Sequence, residues 1–247
     1  MPTLTLECAV RSAPGPRRTH NEDAVFASPR MIAVADGVGG HAAGEVASRA
    51  VIDALAHLEK CRLQAPLPDA LEAAVARGND AIAFIAECRP PASGMSTTLT
   101  AVALEADYTV ANIGDSRAYL YRDGRLVALT RDDSYVQALV DAGHLTAEAA
   151  RAHPQRNVVL AALDGAAERR PTISRHAARP GDRLLLCSDG LTDVVSEDEV
   201  RAALEIAARD RCADRLIALA RDAGGRDDLT VVVADVAARP GPDSIWA

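Results

Sequence analysis

Between Ser96 and Thr130 the apolar residues fall into successive short runs, TTLTAVALE, YTVANIG, RAYLYRDG and RLVALT, and this stretch constrains the fold more than any other. Each run has the length and alternation of a strand. Asp123-Gly124, between the last two, is a hairpin turn signal because both residues tolerate the positive φ angles of a two-residue turn. Further strands are expected at MIAVADG, PTISRHA, DRLLLCS and LTVVVADV.

Upstream the period is helical. From Gly44 to Leu58, Val46, Ala50, Val51, Ala54, Leu55 and Leu58 recur every three or four residues, which gathers them on one helical face. A second helix is expected from Asp69 to Glu87 with Leu71, Val75, Ile82 and Ile85 as its buried stripe, between Pro68 and Pro90-Pro91. Towards the C-terminus, Ser196 to Glu199 matches an S-x-x-E capping box, and another helix is expected near Ala213 to Ala223. Sequential antiparallel strands with helices grouped in pairs imply an α+β fold: a four-layer α/β/β/α sandwich, its two central antiparallel sheets flanked by helix pairs. The segment 132–164 is polar and helical in pieces, with Val136, Leu139 and Val140 on one face and Thr146 as a cap. It reads as an insertion over a surface.

The 247 residues are read as one domain over 1–237 followed by a flexible tail over 238–247, where two prolines and a glycine disfavour regular structure. A formal charge of −8 offers no basic field for nucleic acid or an anionic membrane. No run approaches the roughly 20 apolar residues of a membrane span, and the N-terminus lacks a secretory pattern. Cys8, Cys61, Cys88, Cys187 and Cys212 show neither metal-ligand nor redox spacing, which suits free thiols in a cytoplasmic protein.

Two apolar strands end alike, MIAVADG on Asp36-Gly37 and RLLLCSDG on Asp189-Gly190, and the acidic pair Asp227-Asp228 precedes LTVVV. Any one such pair is more simply a turn. Several carboxylates at one sheet edge repel unless neutralised, and hard divalent cations with oxygen ligands neutralise them. Magnesium or manganese suits this donor set better than zinc.

The strings RRTHNEDAV, VADGVGGHAAGEVAS, MSTTLTAV, NIGDSRAYLYRDG, HPQRNVV, LLLCSDGLTDVVS and GGRDDLTVVV resemble, in order, the bacterial branch of the metal-dependent protein phosphatases (PPM, type 2C). That resemblance covers Arg18 to Val233 and implies the same four-layer sandwich, with two manganese or magnesium ions at its edge. It implies that Asp36 bridges the ions, that the Gly37 carbonyl binds one, and that Asp189 and Asp227 complete the other. Glu22 and Asp23 would act through metal-bound water, and Arg18 would grip the substrate phosphate with its planar, permanently charged fork. Asp115 matches the ligand that bacterial members share with Asp189 for a third, weaker ion; it could also cap the turn between its strands.

The implied reaction is hydrolysis of phosphoserine and phosphothreonine in proteins by a metal-activated bridging water, opposing a bacterial protein kinase. No covalent phosphoenzyme is required, and Cys187 is read as packing. The chain departs from eukaryotic relatives at Val38, where many carry histidine, leaving His41 or a metal-bound water to protonate the leaving group. It departs again at Asp228, often asparagine in the family, which adds negative charge beside Asp227 and either tightens or repositions the metal without ligating it or faces solvent. The segment 132–164 corresponds to the flap of bacterial members, where Arg117 and Arg156 either contact substrate or anchor the flap. A phosphoprotein-binding scaffold without turnover is disfavoured because Asp36, Asp189 and Asp227 are all present. The chain is read as a monomer.

Overall fold

The computed structural model describes residues 3–38, 43–60 and 65–239. In chain order it contains β1 (Thr3–Ala13), β2 (Ala24–Ala27), β3 (Met31–Ala35), β4 (Gly37–Val38), α1 (Gly44–Lys60), α2 (Leu67–Cys88), β5 (Ser96–Thr97), β6 (Leu99–Leu104), β7 (Asp107–Ile113), β8 (Arg117–Arg122) and β9 (Arg125–Ala128). Then come α3 (Tyr135–Asp141), α4 (Ala147–Arg151), β10 (Thr172–Ala177), β11 (Arg183–Cys187), α5 (Asp189–Thr192), α6 (Glu197–Leu204), α7 (Arg209–Asp222) and β12 (Leu229–Arg239). One sheet runs β1-β12-β11-β8-β9 and the other β10-β7-β6-β3-β2, every pairing antiparallel.

Three apolar layers hold these elements together. Leu6, Ile32, Val34, Val102, Val110, Leu184, Leu186 and Val232 fill the space between the sheets. Their strand neighbours face outwards, because successive strand side chains alternate. Thus Met31, Ala33, Leu99 and Ala101 meet Val51, Leu55, Leu71 and Val75 of α1 and α2, while Leu185, Cys187, Val231 and Val233 meet Leu204, Cys212 and Leu216 of α6 and α7. The result is the expected α/β/β/α sandwich. Between β8 and β9, Asp123 (φ 51°) and Gly124 (φ 75°) both take the left-handed backbone that the turn requires. Ser196 caps α6 in a full capping box, and Thr146 caps α4 through the Ala149 N–H.

The strand pattern expected from sequence leaves out β1. Its Leu4, Leu6, Cys8 and Val10 alternate towards the inter-sheet core, and the strand pairs with β12 over its whole length. α7 begins at Arg209, before the expected position, with no side-chain cap on Ala208 to announce it in sequence. The last strand runs to Arg239, and the rest of the expected tail, 240–247, lies outside the described residues, as do His41 and Cys61.

Candidate metal centre

The strand ends meet at one edge of the sandwich. Asp36 follows β3 of one sheet, and its backbone is fixed by three bonds: its N–H donates to Thr98 Oγ1 (3.1 Å), and its carbonyl accepts from Thr98 N–H (2.9 Å) and Thr97 Oγ1 (2.9 Å). Asp189 follows β11 of the other sheet and opens α5. Asp115 lies in the Gly114–Ser116 link through which β7 of one sheet passes into β8 of the other. Gly37 admits no side chain, since an added Cβ would lie 2.4 Å from the Gly44 carbonyl and 2.6 Å from the Glu22 carbonyl oxygen.

Burial raises the pKa of Asp36 well above the ordinary carboxylate range, and the charges of Asp23, Asp189, Asp115 and Asp227 raise it further. Asp189 is raised likewise, by burial and then by Asp115, Asp193, Asp227 and Asp23. Asp115, only 7% exposed, is pushed up to about 7 by burial and by Asp132. Asp23 is pushed up to about 6, chiefly by burial, although Ser188 Oγ donates to it at 2.8 Å. One oxygen each of Asp23 and Asp189 is buried with no hydrogen-bond partner. Buried acids elsewhere are treated differently: Asp132 is forked by Arg117 (2.8 and 2.6 Å), and Asp182 by Arg122 (2.6 and 2.6 Å). The strand-end carboxylates therefore form an oxygen-only donor set with unmatched negative charge, which fits hard divalent cations.

Arg18 stands at the rim. Its guanidinium pairs with Asp227 and with Glu22 (3.0 Å), and Asp228 lies 3.9 Å away. Burial works against its charge, but Asp227, Asp228 and Glu22 outweigh that and push its pKa up. Glu22 is itself raised, mainly by burial. Among the described residues, no group of three or more His, Cys, Asp or Glu side chains is already gathered closely enough to hold a metal ion. The Asp227 carboxylate is turned to Arg18 and to the Asp228 N–H (2.8 Å).

Asp228 does not face solvent. Its carboxylate points into the loop that carries Arg18, accepting from Gly15 N–H (2.9 Å) and Glu22 N–H (2.8 Å), and it is 2% exposed. Cys187 is fully buried and burial pushes its thiol up to about 12, which excludes a thiolate nucleophile near neutral pH.

The segment 132–164 lies beside this edge. A cleft of about 230 Å3 between it and the strand ends is lined by Asp115, Arg117, Asp132, Asp189 and Asp193 among others. Arg117 anchors the base of the segment through Asp132. Its far side is tied to Asp193 by Asn157 (2.9 Å) and Arg156 (3.7 Å). Sequence reasoning had no role for Asp193; the only hint was its place in the string LLLCSDGLTDVVS.

The sequence matches the protein phosphatase 2C family over residues 17–230. It is 52% identical over 235 residues to the serine/threonine protein phosphatase PstP of Mycobacterium tuberculosis, covering 95% of this chain and 46% of that protein. The chain thus spans about half the length of that relative. It is 35% identical over 236 residues to the serine/threonine phosphatase stp of Listeria monocytogenes, covering 91% of this chain and 94% of that one. In three dimensions it superposes with a TM-score of 0.89 on the crystal structure of the catalytic domain of PstP in complex with two manganese ions. That likeness is at 50% identity and covers 95% of this chain and 100% of that one.

Proposed function

Since this chain belongs to the protein phosphatase 2C family, we propose that it hydrolyses phosphoserine and phosphothreonine in proteins with two divalent cations, manganese or magnesium, held at the strand ends. The observation that carries the reading is the cluster of Asp36, Asp189, Asp115 and Asp23, buried together without the arginines that neutralise buried acids elsewhere in the chain. Asp36 would bridge the two ions, the Gly37 carbonyl would join it on one, and Asp189 and Asp227 would complete the other. Asp115 with Asp189 would hold a third, weaker ion. Bound there, the cations would supply Lewis acidity and a hydroxide nucleophile at neutral pH.

The chain's own groups orient the substrate. Arg18 stays charged at any working pH, and the fork that now pairs Asp227 and Glu22 is the one that would take two phosphate oxygens. Glu22 and Asp23 would act through metal-bound water rather than as ligands of the ions. Of these, Asp23 is oriented by Ser188, whose hydroxyl also accepts from Thr230 N–H (3.0 Å). That arrangement makes the Asp23 orientation a property of the β11–β12 pairing.

Phosphorylated proteins are the implied clients and a serine/threonine kinase the implied opponent. We read the domain as residues 1–237 with a flap over 132–164, acting as a monomer in the cytoplasm. The net charge of −8 and the free thiols of Cys8, Cys88, Cys187 and Cys212 support that reading. Among the described residues no helix is long and apolar enough to cross a membrane. The test is manganese-dependent phosphate release from a phosphothreonine peptide. Asp36→Asn and Asp189→Asn should each lower kcat by at least ~10³-fold, the scale of losing a central electrostatic group. Full turnover in excess chelator, or by either variant, would overturn the proposal.

A further inference from the structure

We propose that the cleft between the Pro14–Arg18 loop and the C-terminal turn of α7 is a subsite for the substrate polypeptide. It would take a small apolar residue close to the phosphorylated one and pair a neighbouring carboxylate with Arg221. This rests on the phosphatase reading and adds to it a preference among substrates.

The cleft has a volume of about 300 Å3, and its apolar wall is made by Pro14, Pro16, Ala220 and Leu229. Asp227 also lines it, and its side chain is paired with Arg18. A phosphoryl group gripped by Arg18 would therefore lie beside the cleft, within reach of the chain that flanks the phosphorylated residue. Ala13 and Arg221 also line a second groove of about 470 Å3, which continues past Ile217 and Ala218 along α7. The two therefore adjoin one another at Ala13 and Arg221.

Charge selects the peptides that can bind here. Of the charged groups on the first cleft, Arg221 has no ion pair among the described residues, whereas Asp227 pairs with Arg18 in the free chain and would pass to the cations once Arg18 took the phosphoryl group. In the second groove Arg11 pairs with Asp214 (2.6 Å) and Asp210 (3.1 Å), and Asp222 is an exposed acid without an ion pair among the described residues. The two loops beside the first cleft carry Arg17 and Arg226, which also lack ion pairs among the described residues. These loops are in close contact, for a Cβ added to Gly15 would lie 2.4 Å from the Arg226 carbonyl oxygen. Arg17, Arg221 and Arg226 thus leave three guanidiniums without an ion pair near one mouth, each able to pair a carboxylate of the substrate chain. An acidic stretch beside the phosphorylated residue matches them, and a basic stretch is repelled.

The experiment compares phosphothreonine peptides that carry glutamate or lysine at each flanking position in turn, with manganese, for the wild type, Arg221→Glu and Arg221→Lys. At one or two positions on a single side, the wild type should favour glutamate about fivefold in kcat/KM, through KM, the size of one exposed ion pair. Arg221→Glu should reverse that ratio, and Arg221→Lys should retain it. An unchanged ratio in Arg221→Glu, or a wild type indifferent to flanking charge at every position, overturns the subsite while leaving the phosphatase reading standing. A wild type that turns over none of the peptides overturns both.

Discussion

Replacing Asp228 by alanine tests whether the phosphate-gripping loop is held from below. The carboxylate accepts two backbone N–H groups, Gly15 at 2.9 Å and Glu22 at 2.8 Å, and sits 2% exposed with Arg18 Nε 3.9 Å away. Hydrogen bonds to a charged acceptor contribute about 1.5–3 kcal/mol each, and alanine offers neither N–H a substitute. Two of them set the cost of Asp228→Ala at about 3–6 kcal/mol, and Asp228→Asn, whose amide oxygen can serve one N–H only, at about half that. Urea unfolding in chelator reads these values without contributions from bound ions. In phosphopeptide assays the alanine variant should also raise KM, because Gly15 and Glu22 bracket Arg18 and a loosened loop no longer presents its fork in one geometry. An alanine variant that unfolds within about 0.5 kcal/mol of the wild type, as ordinary surface substitutions do, would refute the clamp.

Asp182 provides a pH test away from the centre. Burial opposes its charge, but Arg122, the Tyr108 hydroxyl (2.7 Å) and the Arg179 N–H (2.8 Å) outweigh that and hold its pKa below the ordinary value. The native state then binds fewer protons than the unfolded chain. This contribution is therefore complete above the unfolded pKa of about 3.9 and lost as pH falls through the lower folded value. Asp182→Asn should cost about 2–4 kcal/mol at pH 7 and flatten the acid limb of stability; urea midpoints that fall in parallel with the wild type below about pH 4 would contradict it. Cys187→Ala should lose about 1–2 kcal/mol in urea unfolding, for the small void left among buried neighbours, while manganese-dependent turnover persists. Abolished turnover in a folded variant would reopen a role for the thiol.

The sandwich is legible in sequence where a strand is buried on both faces or a helix carries an unbroken apolar stripe. β3, β6, β7 and β11 announce themselves because each is a short apolar run bounded by turn residues, and α1 and α2 because their stripes recur at helical spacing. β1 is written more faintly: Thr3, Thr5, Glu7 and Arg11 alternate with apolar residues, and that alternation was the available signal. α7 has no capping residue, so only its stripe of Cys212, Ala213, Leu216 and Ala220 marks it, without fixing its start. The position of Asp228 was not legible at all. The N–H groups its carboxylate accepts, those of Gly15 and Glu22, are more than 200 positions away in sequence, and only the finished fold brings them together.

The same limit governs which aspartates matter. Asp36, Asp115, Asp132, Asp182 and Asp189 all lie in or beside apolar strands, and local sequence treats them alike apart from the glycine that comes after Asp36 and Asp189. The fold divides them. Asp132 and Asp182 each receive a two-pronged arginine, so their burial is compensated within the chain and their charge is structural. Asp36, Asp115 and Asp189 receive none; instead they repel one another at the sheet edge, with Arg18 reaching only as far as Asp227. With 27 lysines and arginines against 35 aspartates and glutamates the chain cannot pair every acid, and where the strands end decides that these are among the acids left without an arginine. Uncompensated like charge lowers stability, and a site keeps it only where another binding partner offsets the cost. That reasoning ties the instability of the strand ends directly to their capacity to hold cations. It also explains why the two glycines matter: they let backbone approach an edge already crowded with carboxylates.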